Sequence, residues 1–341
     1  MTLHSSTHLS ANIRGVNLGG WLILEKWMTP SVFRGTNAVD EYTFMQTEDA
    51  ASKIQAHRLS FITEEDFKWL AENGVNAVRL PVGYWVLEDS GPYINAAQYL
   101  DFAVDMCEKY DLKLLIDFHG AQGSQNGRDH SGRIGESNWY KERLNQTRSI
   151  EVLENLARRY YDRSCVWGYQ LLNEPKIGLI QWKLRRYYRQ AYWRMIEVAR
   201  PGTNIIFHDG FTTLMLSGAI RRTKSYPVII DRHWYHFLQA FRYWLSIDWY
   251  FKKLNLSKYH LRIIRRTQPL IIGEWSGVID GKVVKKLPKS QRNPVQYRHI
   301  KEQMELYDNE TDGWFYWSYK TESDDLWNFR SLVEKGFINL N

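Results

Sequence analysis

Eight short apolar runs, alternating with segments of helical spacing from end to end, predict an α/β chain folded as a (β/α)8 TIM barrel. The runs are Gly15–Leu18, Ala77–Pro81, Leu112–Phe118, Gly168–Leu172, Asn204–His208, Val228–Asp231, Leu270–Gly273 and Gly313–Trp317. Several are continuously apolar, as expected of parallel strands covered on both faces. The length, 341 residues, suits such a barrel better than any other single core. No internal repeat, low-complexity tract or linker divides the chain, so residues 1–341 are read as one domain.

The segments between the runs follow in order. Lys26–Phe61 reads as a long loop after the first strand. Thr63-Glu64-Glu65-Asp66 reads as an N-cap with acids in the first turn, opening a helix over Glu64–Asn73. Further helical patterns cover Ala97–Tyr110, Ile150–Tyr161, Trp182–Ala199 and Val295–Tyr307. His119–Tyr140, rich in Gly, Ser and Asn, and Ser276–Asn293 read as loops after the third and seventh strands. All three loops leave C-terminal strand ends, where this architecture builds its pocket.

Composition narrows the classes. The net charge of +7 is mild for this length, and basic clusters such as Lys183–Arg189 and Arg262–Arg266 read as solvated helix faces. No nucleic-acid-binding module is recognisable, so no nucleic-acid partner is expected. No run approaches the ~18 apolar residues of a membrane span, and membrane association is not the expectation. Cys107 and Cys165 lack metal-ligand spacing and read as buried free thiols. Met1–Ala11 is polar without an apolar signal core, from which a cytoplasmic location is expected. Oligomeric state is left open. Trp and Tyr number 15 and 21; they suit the flat C–H faces of sugar rings as well as a large core.

Two runs end on a glutamate: Leu171-Leu172-Asn173-Glu174-Pro175 and Ile271-Ile272-Gly273-Glu274-Trp275. One such Glu is an ordinary exposed strand end. Two on different strands of one barrel are what retaining glycoside hydrolysis requires, one as acid and base and one as nucleophile. Other polar or aromatic residues sit at the remaining strand ends: Arg79, His119, Asn173, His233, Tyr235 and Trp317. Each alone is ordinary, but together they describe one convergent rim.

The ordered pieces Arg14-Gly15-Val16-Asn17-Leu18-Gly19-Gly20-Trp21, Val78-Arg79-Leu80-Pro81, Asp117-Phe118-His119-Gly120, Gly123-Ser124-Gln125-Asn126-Gly127, Asn173-Glu174-Pro175, His233-Trp234-Tyr235, Gly273-Glu274-Trp275 and Trp314-Phe315-Tyr316-Trp317 resemble glycoside hydrolase family 5, within the clan of retaining (β/α)8 glycosidases. The similarity is greatest to its exo-β-1,3-glucanase branch. The resemblance implies Glu174 as acid/base and Glu274 as nucleophile, titrating as a coupled pair with Glu174 raised. It implies Asn173 on the sugar 2-hydroxyl, Arg79 and Tyr235 holding Glu274 ionised, and His119 and His233 on the sugar and the acid/base. Trp317 becomes the floor under the reacting sugar. Glu25 matches a carboxylate that grips the terminal sugar, a loop salt bridge being the alternative. No metal or cofactor is implied.

The implied activity is removal of terminal β-linked glucose from β-glucans or β-glucosides, a carbohydrate substrate. Action on another β-glycoside, transglycosylation, and a sugar-binding pseudoenzyme are the alternatives. The chain departs from the branch at Gln122, where Pro is usual, and Ser318, where Thr is usual, and it lacks the signal and extra cysteines of secreted fungal members. Phe237–Arg266 is unusual in carrying Phe237, Phe241, Trp244, Trp249, Tyr250 and Phe251 among basic residues. It reads either as packing against neighbouring helices or as an apolar platform for a leaving group.

Overall fold

The computed structural model describes residues 12–176, 181–216, 218–220, 223–236 and 246–340. Eight parallel strands close into a barrel in chain order. They are β1 (Ile13–Asn17), β2 (Ala77–Gly83), β3 (Lys113–Gly120), β4 (Val166–Gln170), β5 (Asn204–His208), β6 (Val228–His233), β7 (Leu270–Trp275) and β8 (Gly313–Tyr316). The ring closes where β1 pairs with β8, Ile13 opposite Gly313 and Val16 opposite Tyr316.

Helices cover the outside: α1 (Glu41–Phe44), α2 (Ala50–Phe61), α3 (Glu64–Glu72), α4 (Ala97–Lys109), α5 (Arg143–Arg159), α6 (Gln181–Val198), α7 (Thr213–Leu216), α8 (Ile247–Arg265), α9 (Gly281–Lys285), α10 (Lys289–Glu310) and α11 (Phe329–Glu334). The sequence signals have local causes. At the start of α3 the Asp66 carboxylate accepts the Thr63 N–H at 2.8 Å, satisfying a donor the helix leaves free. Leu100, Ala103, Val104 and Cys107 form the buried stripe of α4.

Alternate residues of a strand share a face, and this places the site. Inside the barrel, Ile13, Ala77, Leu115, Ile206, Ile229, Ile271 and Phe315 make one apolar layer. Two or four residues further along the same inward rows stand Asn17, Arg79, Asp117, His119, His208, Asp231 and His233, all buried. The barrel is therefore plugged with hydrocarbon below and lined with polar groups above.

Several boundaries differ from expectation. β4 ends at Gln170, so Leu171 and Leu172 lie past the strand and Glu174 stands in the turn beyond it. β6 and β7 run further than expected, which puts His233 and Glu274 within strands. Lys26–Phe61 is not a bare loop but contains α1 and α2. The fully buried Arg58 anchors it, donating to the carbonyls of Ile94 at 3.0 Å, Asn95 at 2.9 Å and Leu22 at 3.3 Å, and to Glu41 at 3.4 Å. The segment after β7 likewise contains α9 and the start of α10.

Cys107 and Cys165 are buried free thiols, as expected. In the unusual aromatic segment, Tyr250 is buried with Ile279, Val283 and Val284, against which Trp249 packs. Phe251 is buried too, with the Arg298 guanidinium 3.9 Å above its ring. For these residues packing, not a platform, is the outcome. Phe237, Phe241 and Trp244 lie outside the described residues.

Candidate active site

Arg79 on β2 is the hub of the rim. It is fully buried, and every arm of its guanidinium is used. Nε donates to Gln170 Oε1 at 2.9 Å, Nη1 to Asn17 Oδ1 at 2.7 Å and Glu274 Oε1 at 2.9 Å, and Nη2 to Asn173 Oδ1 at 2.8 Å. Nη2 also lies 3.0 Å from Asp117 Oδ2. A buried cation is tolerable only with such complete pairing. The arrangement fixes Glu274 on β7 and Asn173 in the turn after β4 about one rigid plane.

Glu274 Oε2 accepts the Tyr235 hydroxyl at 2.9 Å and lies 3.3 Å from His233 Nδ1. The same nitrogen lies 2.8 Å from Glu174 Oε1. One atom thus touches both carboxylates, so their nearest oxygens stand no more than about 6 Å apart. The Glu174 backbone has φ of 36°, a left-handed conformation uncommon for any residue but glycine. Gln125 and Asn126 brace that turn, Gln125 Nε2 donating to the Asn173 carbonyl and Asn126 Nδ2 to the Glu174 carbonyl, each at 3.0 Å.

Electrostatics divide the rim. Burial works against the His233 charge, yet Glu274, Asp231 and Glu174 around it raise its pKa well above 6.5. Burial also raises Glu174, but the hydrogen bond and charge of His233 hold it well below the usual carboxylate range. Glu274 is pushed up to about 7, by burial first, with His233 and Arg79 opposing and the Glu174 charge adding to the rise. This reverses the expected order, in which Glu174 is the raised member. The cause is the proton on His233 Nδ1, 2.8 Å from Glu174. Moved across that bond to Glu174, the same proton produces a neutral acid beside an ionised Glu274.

The other predicted residues converge as well. His119 Nδ1 lies 2.6 Å from Asp117 Oδ2, and Asn173 Nδ2 lies 3.2 Å from His119 Nε2. This pairing fits a neutral ring with its proton on Nδ1. Burial and the Arg79 charge accordingly hold its pKa well below 6.5. His119 stacks at 10° on Trp317, ring centroids 5.6 Å apart. A Cβ at Gly19 would meet the Trp317 ring at 2.9 Å, so the glycine leaves room for that indole. Glu25 is buried, accepts from Trp27 Nε1 at 2.9 Å, and forms no ion pair among the described residues. Burial and the charges of Asp129, Glu274 and Glu174 raise its pKa well above 4.5. All these groups except Arg79 and Asn173 face one cavity of about 720 Å³.

Other residues at the site carry weaker sequence signals. Asp231 Oδ1 accepts the Gly273 N–H at 2.7 Å, and its Oδ2 takes Gln170 Nε2 at 2.7 Å and faces His233 Nε2 at 3.1 Å. A Cβ on Gly273 would fall 2.2 Å from that Oδ1. Asp117 and Asp231 both belong to an Asp-x-His pattern on a strand, which puts each Asp on the inward face of its His. That pattern is readable, but too short to single out unaided. Trp27, Trp327, Phe211 and Trp234 also line the cavity, from loops with no shared signal.

Among the described residues, Glu174, His208 and His233 have the reach to hold a metal, their ligand atoms lying within 4.8 Å of one another. A ligating imidazole must be neutral. Both nitrogens of His233 instead face carboxylates, and its raised pKa keeps it protonated.

Comparison with known proteins gives the family. The family model for cellulase (glycosyl hydrolase family 5) matches residues 40–323. The chain is 33% identical to the probable glucan 1,3-beta-glucosidase A of Aspergillus fumigatus, covering 95% of this chain and 86% of that protein. It is 34% identical to the protein of the same name from Emericella nidulans, over 97% and 91%, and 31% identical to the glucan 1,3-beta-glucosidase of Blumeria graminis, over 96% and 86%. The fold matches the crystal structure of rutinosidase from Aspergillus niger with a TM-score of 0.81 at 19% identity, over 97% and 98% of the two chains. The family match spans most of the barrel, and the similarity to the fungal enzymes runs almost end to end; the chain is a glycosidase and belongs to glycoside hydrolase family 5.

Proposed function

We propose that the protein removes glucose from the non-reducing ends of β-1,3-linked glucans or simple β-glucosides, with Glu274 as nucleophile and Glu174 as acid and base. The observation that carries this reading is His233 Nδ1, in reach of both carboxylates at 2.8 and 3.3 Å. A retaining mechanism needs its two carboxyls about 5–5.5 Å apart. The names of the fungal relatives supply the linkage.

The sugar rests on Trp317, with its 2-hydroxyl at Asn173 and outer hydroxyls at Glu25. His233 passes its Nδ1 proton to Glu174 Oε1 and keeps Nε2–H on Asp231. Glu274, held by Arg79 and Tyr235, attacks the anomeric carbon. The glycosidic oxygen takes the Glu174 proton as the bond to the leaving group breaks. Water then attacks the glycosyl-enzyme, giving its proton to Glu174, and Glu274 is released. Burial and its acidic neighbours favour the protonated Glu25 carboxyl, which in that form can donate to a sugar oxygen as well as accept.

The test is hydrolysis of a β-1,3-glucan oligomer, with products followed by NMR and chromatography. Glucose alone in the first minutes, formed as the β-anomer, is expected. Initial α-glucose would overturn the assigned mechanism, and early mixed-length oligomers would overturn exo action.

A further inference from the structure

We infer that Arg128 makes the leaving-group side of the pocket selective for β-glucosides whose aglycone carries an anionic group, a carboxylate or phosphate. The inference rests on the glycosidase reading above and adds a substrate class to it.

The cavity, about 720 Å³, falls in the range of ~300–1,000 Å³ that holds drug-sized ligands. There is room beyond the reacting ring. Its two ends differ in charge. The end that carries Glu25 feels Asp129, Glu274 and Glu174, and its carboxyl is driven toward the neutral form. Past Glu174 the wall carries the Arg128 cation, with His130, lowered by burial to about 4, neutral beside it. Arg128 Nη1 lies 3.6 Å from Glu174 Oε2, and His130 Nε2 lies 3.4 Å from the same oxygen.

Arg128 is held at this place by its backbone. Asn126 Oδ1 accepts the Arg128 N–H at 3.0 Å, while Asn126 Nδ2 donates to the Glu174 carbonyl at 3.0 Å. One amide therefore couples the arginine to the turn that carries the acid. The guanidinium itself is 61% exposed, and Glu174 is its one ion-pair partner among the described residues. At 3.6 Å and this exposure the pair is weak.

Arg232 on the facing wall is differently placed. It pairs with Asp209 at 3.3 Å and lies 4.6 Å over the Trp234 ring, so its charge is engaged. Phe211, in a left-handed conformation with φ of 57°, lines the cavity with Trp234. These rings bound an apolar body, and Arg128 stands beside it.

The catalytic cycle sharpens the point. Glu174 must be protonated to act as acid, and a protonated carboxyl no longer attracts Arg128. The competent state thus releases a guanidinium at the spot the aglycone occupies. A carboxylate or phosphate on that aglycone replaces the lost partner, with the planar fork suited to either.

The experiment compares 3-carboxyphenyl and 3-carbamoylphenyl β-glucoside on the wild type, Arg128→Gln and Arg128→Lys. The measure is the ratio of kcat/KM, anionic over neutral, so that effects on Glu174 common to both substrates cancel. That ratio should be about threefold to fivefold higher in the wild type than in Arg128→Gln, the upper part of the range for an exposed ion pair. The difference should lie mainly in KM, survive in part in Arg128→Lys, and fade at about 1 M salt, where screening acts within about 3 Å. Equal ratios in the wild type and Arg128→Gln overturn the inference. So does an equal fall on both substrates with a shifted pH profile, since Arg128 would then act only on Glu174. Turnover of neither glucoside by folded wild type overturns the glycosidase reading and this inference together.

Discussion

β3 and β6 carry the same three-residue pattern, Asp117-Phe118-His119 and Asp231-Arg232-His233, and in both the Asp and His side chains meet on the inward face. Their histidines nevertheless titrate in opposite directions. His119 is held neutral and His233 charged. The difference lies in the neighbours. Asp117 is shared with Arg79 at 3.0 Å, so its charge is spent on a guanidinium before the imidazole draws on it, and burial raises it to about 6 although the Arg79 charge opposes the rise. Among the described residues Asp231 has no such cationic competitor within hydrogen-bond reach; burial raises it, but the His233 charge brings it to about 2. His233 then meets two further carboxylates. An Asp beside a His orients the ring in both places; the surrounding charge decides whether that ring is a fixed donor or a proton store.

Removing the carboxylates around His233 should produce the largest effect. Glu274→Ala should lower kcat on the order of 10⁴-fold or more, since no glycosyl-enzyme can form. It should also bring the His233 pKa down while leaving His119 neutral, as read by imidazole NMR. Glu174→Ala should cost about 10²–10⁴-fold on oligosaccharides but far less on dinitrophenyl glucosides, whose leaving group needs no proton. Azide should rescue it with retained configuration. Equal losses on both substrate types would reverse or remove the two roles.

The aspartates come next, and they test the comparison directly. Asp231→Asn should reduce kcat/KM by about 10²-fold and move the alkaline limb of the pH profile to lower pH, because His233 loses the anion that keeps its proton. Asp117→Asn should leave that limb in place and act chiefly through KM, with His119 poorly oriented. The same pH profile for both variants would mean that the two strands do one job. In the wild type, the acid limb should lie above 4.5, the ordinary value of the raised Glu274 carboxyl.

The smallest effect concerns stability. His57, His208 and His299 are buried and lowered by burial from 6.5 to about 4. A histidine with a lowered folded pKa contributes its full stability above 6.5, and loses it as pH falls toward 4, because only the unfolded chain takes up the proton. His233 has the opposite sign: its contribution is complete below 6.5 and is lost as pH rises through its raised value. Calorimetry should show the melting temperature falling between pH 6.5 and 4, with a loss on the order of a few kcal/mol per histidine. A His233→Gln variant should lose stability relative to wild type more at pH 6 than at high pH. A constant difference would place the proton elsewhere.

The sequence makes the barrel legible because each parallel strand, buried on both faces, reads as an apolar run. The carboxylate pair is legible because each Glu follows such a run. Legibility fails where tertiary contact replaces pattern. α2 buries Ala50, Ile54, His57 and Arg58, a set with no apolar stripe, so its segment reads as loop. Its stability comes from Arg58 reaching the carbonyls of Leu22, Ile94 and Asn95, far away in sequence. The reversed order of the two glutamate pKa values is invisible for the same reason: it depends on His233, whose proton is set by three residues from two other segments and its own strand.

Gly273 gives the site a genetic constraint. Its missing side chain is the space that the Asp231 carboxylate occupies. Positions 231 and 273 are therefore epistatic, though they lie on different strands. A methyl group at 273 in the present background displaces the carboxylate, and through it the His233 proton. In a background already carrying a smaller residue at 231, the same methyl no longer meets that carboxylate. Either single change disturbs the His233 proton, so a pairwise mutational scan should find the double variant less impaired than the two single losses combined.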